Sequence, residues 1–241
     1  MKKLCSTLIV FIVFCSFSQQ RAIAFTHNMN SKDTSAQHTL TYLALGDSYT
    51  IGEMVPADQS YPNQAAALLT KKGRHISPPT IVAKTGWRTD ELIQGIVNAS
   101  LSQKFDIVTL LIGVNNQYQH KDTAIYRAEF VQLLKTSIAF AKDNKHHVFV
   151  LSVPDWGVTP FANGRNLEKI TAEIDAYNRI NKEESKKAGV NYVSITSFYR
   201  DMGDDPAYLA EDKLHPSGKM YEKWAKLLAN AIEGQLKKEK E

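Results

Sequence analysis

The sequence predicts an α/β protein in which a parallel sheet carries helices on both faces. Short apolar runs rich in branched residues recur along the chain, and amphipathic stretches at helical spacing separate them. The alternation repeats over five units, which a parallel sheet with crossover helices accommodates. With 241 residues, 43% hydrophobic and 22% charged, the chain suffices for one domain with a substantial core.

Taken in order, the N-terminus comes first and stands apart. Lys2-Lys3 precedes an apolar run over 4–17, and Ala22-Ile23-Ala24 supplies a small-x-small exit. That is the pattern of an export signal over 1–24 with cleavage after Ala24. The run is shorter than the ~20 residues a membrane-spanning helix needs. Removing Lys2, Lys3 and Arg21 with no acid takes the formal net charge from +4 to +1, so the basicity is mostly the signal's. A nucleic-acid partner thereby loses its main support. Cys5 and Cys15 leave with the signal, so no disulfide, zinc-thiolate site or cysteine nucleophile is expected. A lipid anchor on Cys15 is the rival reading, but Phe14 is bulky where such signals want a small residue.

Residues 25–38 are polar and aperiodic, a loose tail. The domain is expected over 39–236, with strands at 42–45, 81–83, 107–112, 148–153 and 192–195. Helical spacing joins Phe130, Leu133, Leu134, Ile138 and Ala141, then Leu167, Ile170, Ile174 and Tyr177. The last helix repeats it with Tyr221, Trp224, Ala225, Leu228 and Ile232, and 237–241 reads as a charged, solvated tail.

In such a sheet, ligands bind beyond the carboxyl ends of the strands, so the segments after the strands carry the chemistry. Ser48 follows the first strand, where a hydroxyl is presented at the sheet edge; the plain alternative is a helix cap at Asp47 or Ser48. Asp212-Lys213-Leu214-His215-Pro216 sets a carboxylate three residues before a histidine, a spacing that can bring it onto Nδ1 and free Nε2 for a serine, although taken alone it reads more simply as a helix-entry loop with an incidental histidine. Asp155, after the fourth strand, competes with Asp212 as that partner but reads more simply as a turn. Gly86 offers a backbone N–H and Asn115 a side-chain amide to a developing oxyanion, the plain alternatives being a turn glycine and an asparagine in a left-handed conformation. Met54, Val55, Trp87, Tyr118, Trp156 and Tyr208 lie on loops expected to surround the site, where each either lines an acyl or leaving-group pocket or serves loop packing.

Gly46-Asp47-Ser48-Tyr49, Gly86, Gly113-x-Asn115 and Asp212-x-x-His215 together resemble the SGNH (GDSL) hydrolase family, all four blocks standing in order. The resemblance implies a flavodoxin-like three-layer α/β/α sandwich with a five-stranded parallel sheet. It implies Ser48 as nucleophile, His215 as base and Asp212 as its partner, with an oxyanion hole from Ser48 N–H, Gly86 N–H and the Asn115 amide. Many members carry aspartate after that asparagine; here it is Asn116. Position 50 is threonine, so this is not the Gly-x-Ser-x-Gly elbow.

No Gly-x-Gly and no phosphate loop occurs, and His146-His147, at a strand entrance, read as solvated rather than as a metal pair; no cofactor and no metal is implied. The expected protein is an exported serine ester hydrolase acting on a small-molecule, lipid or carbohydrate ester. A carbohydrate O-acetyl esterase, a lysophospholipase or a thioesterase would use the same triad. Outside enzymes, the alternatives are a catalytically silent binding protein with the same cleft and a flavodoxin-like cofactor binder.

Overall fold

The structure is a computed structural model that describes residues 38–239. The export signal at 1–24, the Cys15 anchor and all but the last residue of the 25–38 tail lie outside the described residues. Five strands, β1 (Tyr42–Gly46), β2 (Thr80–Ala83), β3 (Ile107–Leu111), β4 (Val148–Leu151) and β5 (Asn191–Val193), form one sheet in the order β2-β1-β3-β4-β5. Every pair is parallel.

Three strands stop short of their apolar runs, β3 by one residue and β4 and β5 by two, and beyond the last two side chains capture N–H groups. Asn178 Oδ1 accepts from Val153 N at 2.7 Å, and Ser152 Oγ accepts from Ile195 N at 2.8 Å. Between the strands run α1 (Ser48–Ile51), α2 (Tyr61–Lys71), α3 (Thr89–Ala99), α4 (Val114–Tyr118), α5 (Thr123–Phe140), α6 (Leu167–Ala188), α7 (Thr196–Met202) and α8 (Gly218–Lys238). Caps explain several boundaries. Asp122 accepts from Ala124 N and Ile125 N at the start of α5, and left-handed Gly189 closes α6.

Side chains alternate across each strand, so one sheet feeds two cores. Leu43, Leu45, Val108, Leu110, Val148 and Val150 pack with α3, α5 and part of α6. Tyr42, Ala44, Ile107, Leu111, Phe149 and Leu151 pack with α2, α7 and α8. The second core holds Trp224, fully buried, with the rings of Tyr49, Tyr61, Tyr199 and Tyr221 at centroid distances of 6.2, 6.5, 5.9 and 5.3 Å. A buried aromatic of this size is worth about 3–5 kcal/mol against alanine.

The last helix runs two residues past the expected domain end at 236. Glu239 is exposed, and its carboxylate lies 2.9 Å from His147 Nε2, so His147 is engaged. Among the described residues, no helix is long and apolar enough to cross a membrane.

The strand order reverses between β1 and β3, which makes the crevice at their carboxyl ends the switch point of the fold.

Candidate active site

Ser48 stands at that switch point. A Cβ on Gly46 would meet Thr50 Oγ1 at 2.1 Å and Leu111 O at 2.4 Å, so only glycine lets α1 fold tightly back over the strand end. Asp47 then caps α1, its Oδ1 accepting from Tyr49 N at 3.0 Å. The cap and the serine are thus separate residues: Asp47 holds the turn, and Ser48 opens the helix.

The other half of the site comes from the loop before α8. Asp212 Oδ1 accepts from Leu214 N at 3.0 Å and from His215 N at 2.9 Å, with Lys213 held in a left-handed conformation (φ 58°). Asp212 Oδ2 lies 2.5 Å from His215 Nδ1, and His215 Nε2 lies 2.9 Å from Ser48 Oγ. Burial opposes ionisation of Asp212, but the His215 ring and the two backbone N–H groups outweigh it and hold its carboxyl below the ordinary range. The histidine ring is 8% exposed and sits 5.0 Å from the ring of Tyr49, while the Tyr199 hydroxyl donates to the Leu214 carbonyl in the same loop.

Asp155 is spent elsewhere. It is buried, accepts from Gly157 N and the Thr171 hydroxyl, and pairs with the Arg200 guanidinium at 2.9 Å.

Gly86 and Asn115 face the same space. Gly86 has φ +83°, and a Cβ there would meet nothing within 4 Å, so the glycine answers to backbone conformation and to an open approach. Asn115 Nδ2 donates to Trp87 O at 3.0 Å, which fixes the amide and uses one of its two N–H bonds. Its neighbour Asn116 is buried and clamps the start of α3, accepting from Thr89 N at 3.1 Å and donating to Thr89 Oγ1 at 2.7 Å. An aspartate there would accept but not donate.

Ser48, Gly86, Asn115 and His215 border one cavity of ≈ 230 Å³. Tyr118, Trp156, Phe161, Val114 and Leu214 supply its apolar wall. Tyr118 meets Trp156 edge-on at 5.4 Å, Trp156 meets Phe161 at 6.0 Å, and the Trp156 indole donates to Gln117 Oε1 at 2.7 Å.

Of the six residues expected in the pocket, Tyr118 and Trp156 line it. Met54, Val55, Trp87 and Tyr208 do not. Trp87 turns into α3, where a Cβ on Gly95 would lie 2.1 Å from its ring, and only its carbonyl serves the site. Val55 and Tyr208 pack on the second core, with Lys219 Nζ over the Tyr208 ring, and Met54 is 51% exposed in a left-handed turn. Phe161 was missed because the loop after β4 continues past Trp156. The pair Pro160-Phe161, a second aromatic after a turn residue, was its one signal.

Asp47 has a property the sequence does not display. Its Oδ2 is buried with no partner among the described residues, and burial pushes its carboxyl from 3.8 to about 8. The folded chain therefore keeps a proton that the unfolded chain releases above about pH 4. Stability falls as pH rises from there toward the folded value. Asparagine keeps the acceptor for Tyr49 N and carries no such proton. The Asp47→Asn protein should gain on the wild type by about 1.4 kcal/mol per pH unit between about pH 5 and 7, read from urea midpoints. A constant difference across that range would refute the buried proton.

A hydroxyl that can pass its proton to a fixed imidazole, beside donors converging on one cavity, places the molecule among the serine hydrolases. The particular lineage follows from comparison with known proteins. The chain belongs to the GDSL-like lipase/acylhydrolase family, whose family model matches residues 44–223, and it is a carboxylic ester hydrolase of that family. The psychrotrophic esterase EstA from Pseudoalteromonas sp. is similar in structure at 13% identity and a TM-score of 0.64, over 82% of this chain and 99% of that one. The lipase/acylhydrolase from Enterococcus faecalis is similar at 19% and 0.63, over 82% and 97%. The acetyl xylan esterase AlAXEase is similar at 16% and 0.64, over 80% and 100%. At such identities these likenesses speak for the fold. No curated protein sequence matches the chain.

Proposed function

We propose that the protein is an exported esterase that removes short acyl groups, acetyl foremost, through an acyl-Ser48 intermediate. The observation that carries the reading is the unbroken line Asp212–His215–Ser48 ending at the cavity. Ser48 Oγ attacks the ester carbonyl as His215 Nε2 takes its proton. The oxyanion is met by the Ser48 and Gly86 N–H groups and the second N–H of Asn115. Collapse of the tetrahedral adduct breaks the bond to the alcohol oxygen, which takes the proton from His215. Water, deprotonated by the same imidazole, then attacks the acyl-enzyme, and the acid leaves with Ser48 restored. Asp212 stays ionised throughout and orients the ring.

The volume of the cavity supports the short acyl length. Sites for drug-sized ligands span ~300–1,000 Å³, and ≈ 230 Å³ behind a wall of aromatic rings suits a small group. The likeness to an acetyl xylan esterase supports the same reaction. Export is supported by Lys2-Lys3, the apolar run and Ala22-Ile23-Ala24.

The test is hydrolysis of 4-nitrophenyl acetate, butyrate, octanoate and dodecanoate by protein collected from the culture medium. The expected kcat/KM falls at least about tenfold from butyrate to octanoate, since each further methylene finds no apolar surface to bury. A profile rising to dodecanoate would overturn the short-acyl assignment in favour of a lipid-directed enzyme. No turnover of any ester, with Ser48 unlabelled by a fluorophosphonate, would overturn the esterase itself. Export requires the collected chain to begin at Phe25; a chain beginning at Met1 and held inside the cell would refute it.

A further inference from the structure

Behind the aromatic wall lies a second cavity, of ≈ 250 Å³, that shares Tyr118 and Trp156 with the first. Arg165 stands against this wall. Its guanidinium carbon is 5.2 Å from the ring centroids of both Tyr118 and Trp156 and 5.3 Å from that of Phe161. One of its N–H bonds goes to the Tyr118 hydroxyl at 3.3 Å. Among the described residues it forms no ion pair, and it is exposed. The cavity's one carboxylate, Glu173, is already engaged: Gln117 Nε2 donates to it at 2.8 Å and Lys169 Nζ lies at 3.8 Å.

A packing role alone would make Arg165 a cover for three rings. That explains the stacking and leaves the donors unexplained. Ring contacts consume no N–H bond, a guanidinium has five, and the protein takes one. A planar cation fixed by aromatic faces, with its donors unspent and its neighbourhood net positive, is the arrangement that recognises a carboxylate, sulfate or phosphate by paired hydrogen bonds.

We infer that the second cavity is a subsite for an oxyanionic group carried by the non-reacting part of the ester, with Arg165 as its recognition residue. The inference rests on the esterase reading above and deepens it: the substrate is an acidic molecule bearing a short acyl ester. Tyr118 and Trp156 line both cavities, and a substrate whose charged group lies on the far side of those rings from its ester would engage both.

The experiment compares phenyl acetates carrying a para-carboxylate, a para-sulfonate or the neutral para-carboxamide, together with phenyl hemisuccinate, which puts the charge on the acyl side. Each is assayed with the wild type, Arg165→Gln and Arg165→Lys. Intrinsic reactivity cancels when the anionic-to-neutral ratio of kcat/KM is compared between proteins. That ratio should drop about tenfold in Arg165→Gln for the para-anionic phenyl acetates and fall less in Arg165→Lys, while a drop confined to the hemisuccinate would overturn the placement of the charge on the alcohol side. It should also shrink in the wild type as salt is raised, because the site is solvent-facing. Hydrolysis of the carboxamide should fall by a clearly smaller factor than that of the para-anionic esters. An unchanged ratio in Arg165→Gln would overturn the inference, as would equal losses on neutral and anionic esters, which a packing role produces. If the wild type hydrolyses none of the neutral esters, the esterase reading itself fails, a result distinct from either.

Discussion

Replacing Ser48 by alanine is expected to lower kcat for 4-nitrophenyl acetate by about 10⁶-fold. The size of the loss comes from the chain of hydrogen bonds, because His215 contributes to the first step only by taking the proton of Ser48 Oγ, and Asp212 only by orienting and stabilising that imidazole. Without that oxygen they have nothing to activate except water. The oxyanion donors alone leave a residual rate about 10³-fold above the uncatalysed one. Stability should change little: the hydroxyl is 4% exposed, but its partner His215 keeps Asp212 and the surrounding loop. Turnover and a urea midpoint on the same preparation check both halves. A loss below about 100-fold would mean that another group carries the acyl chain.

Asn115→Ala should cost about 100–1000-fold in kcat with a much smaller change in KM. The amide is held by the Trp87 carbonyl before any substrate arrives, so its second N–H needs no reorganisation when charge develops on the carbonyl oxygen. Interactions made only in the transition state appear in kcat, whereas a group that grips substrate and transition state alike appears in KM. The alanine also strands the Trp87 carbonyl, at about 1 kcal/mol of stability. A urea titration separates that cost from the catalytic one. A variant that raises KM and leaves kcat intact would place Asn115 in substrate binding.

The sheet was legible because its signal is local: β1 and β3 are runs of apolar residues that no helix period fits, and their side chains serve both cores. The strand ends were less so. Beyond β4 and β5, Asn178 and Ser152, side chains from other parts of the fold, capture N–H groups. Ser48, Asp212 and His215 could be read as candidates because short spacings, one residue past a cap and three residues across a turn, fix their surroundings within the sequence. Pocket walls carry no such spacing. Trp87 lies next to Gly86 in sequence yet spends its ring on Gly95, while Phe161 comes round from the loop after β4. Where a loop aromatic points is decided by which neighbour leaves room for it, and that neighbour is distant in sequence. The buried proton of Asp47 was hidden for the same reason, since a cap on the surface and a cap in the interior read identically.

Ser48 and His215 are 167 positions apart, one on the first strand's exit and the other on the threshold of the last helix. What joins them is the seating of α8 on the core around Trp224, together with Tyr49 against the histidine ring. No fragment ending before α8 has the means to hold the imidazole over the serine. The enzyme thus becomes competent only once α8 has docked on the sheet. Contacts of such long sequence separation are also the slow ones to form. Hydrolysis is therefore a readout of the folded domain, and a partly folded one, however much sheet it has built, has none to give.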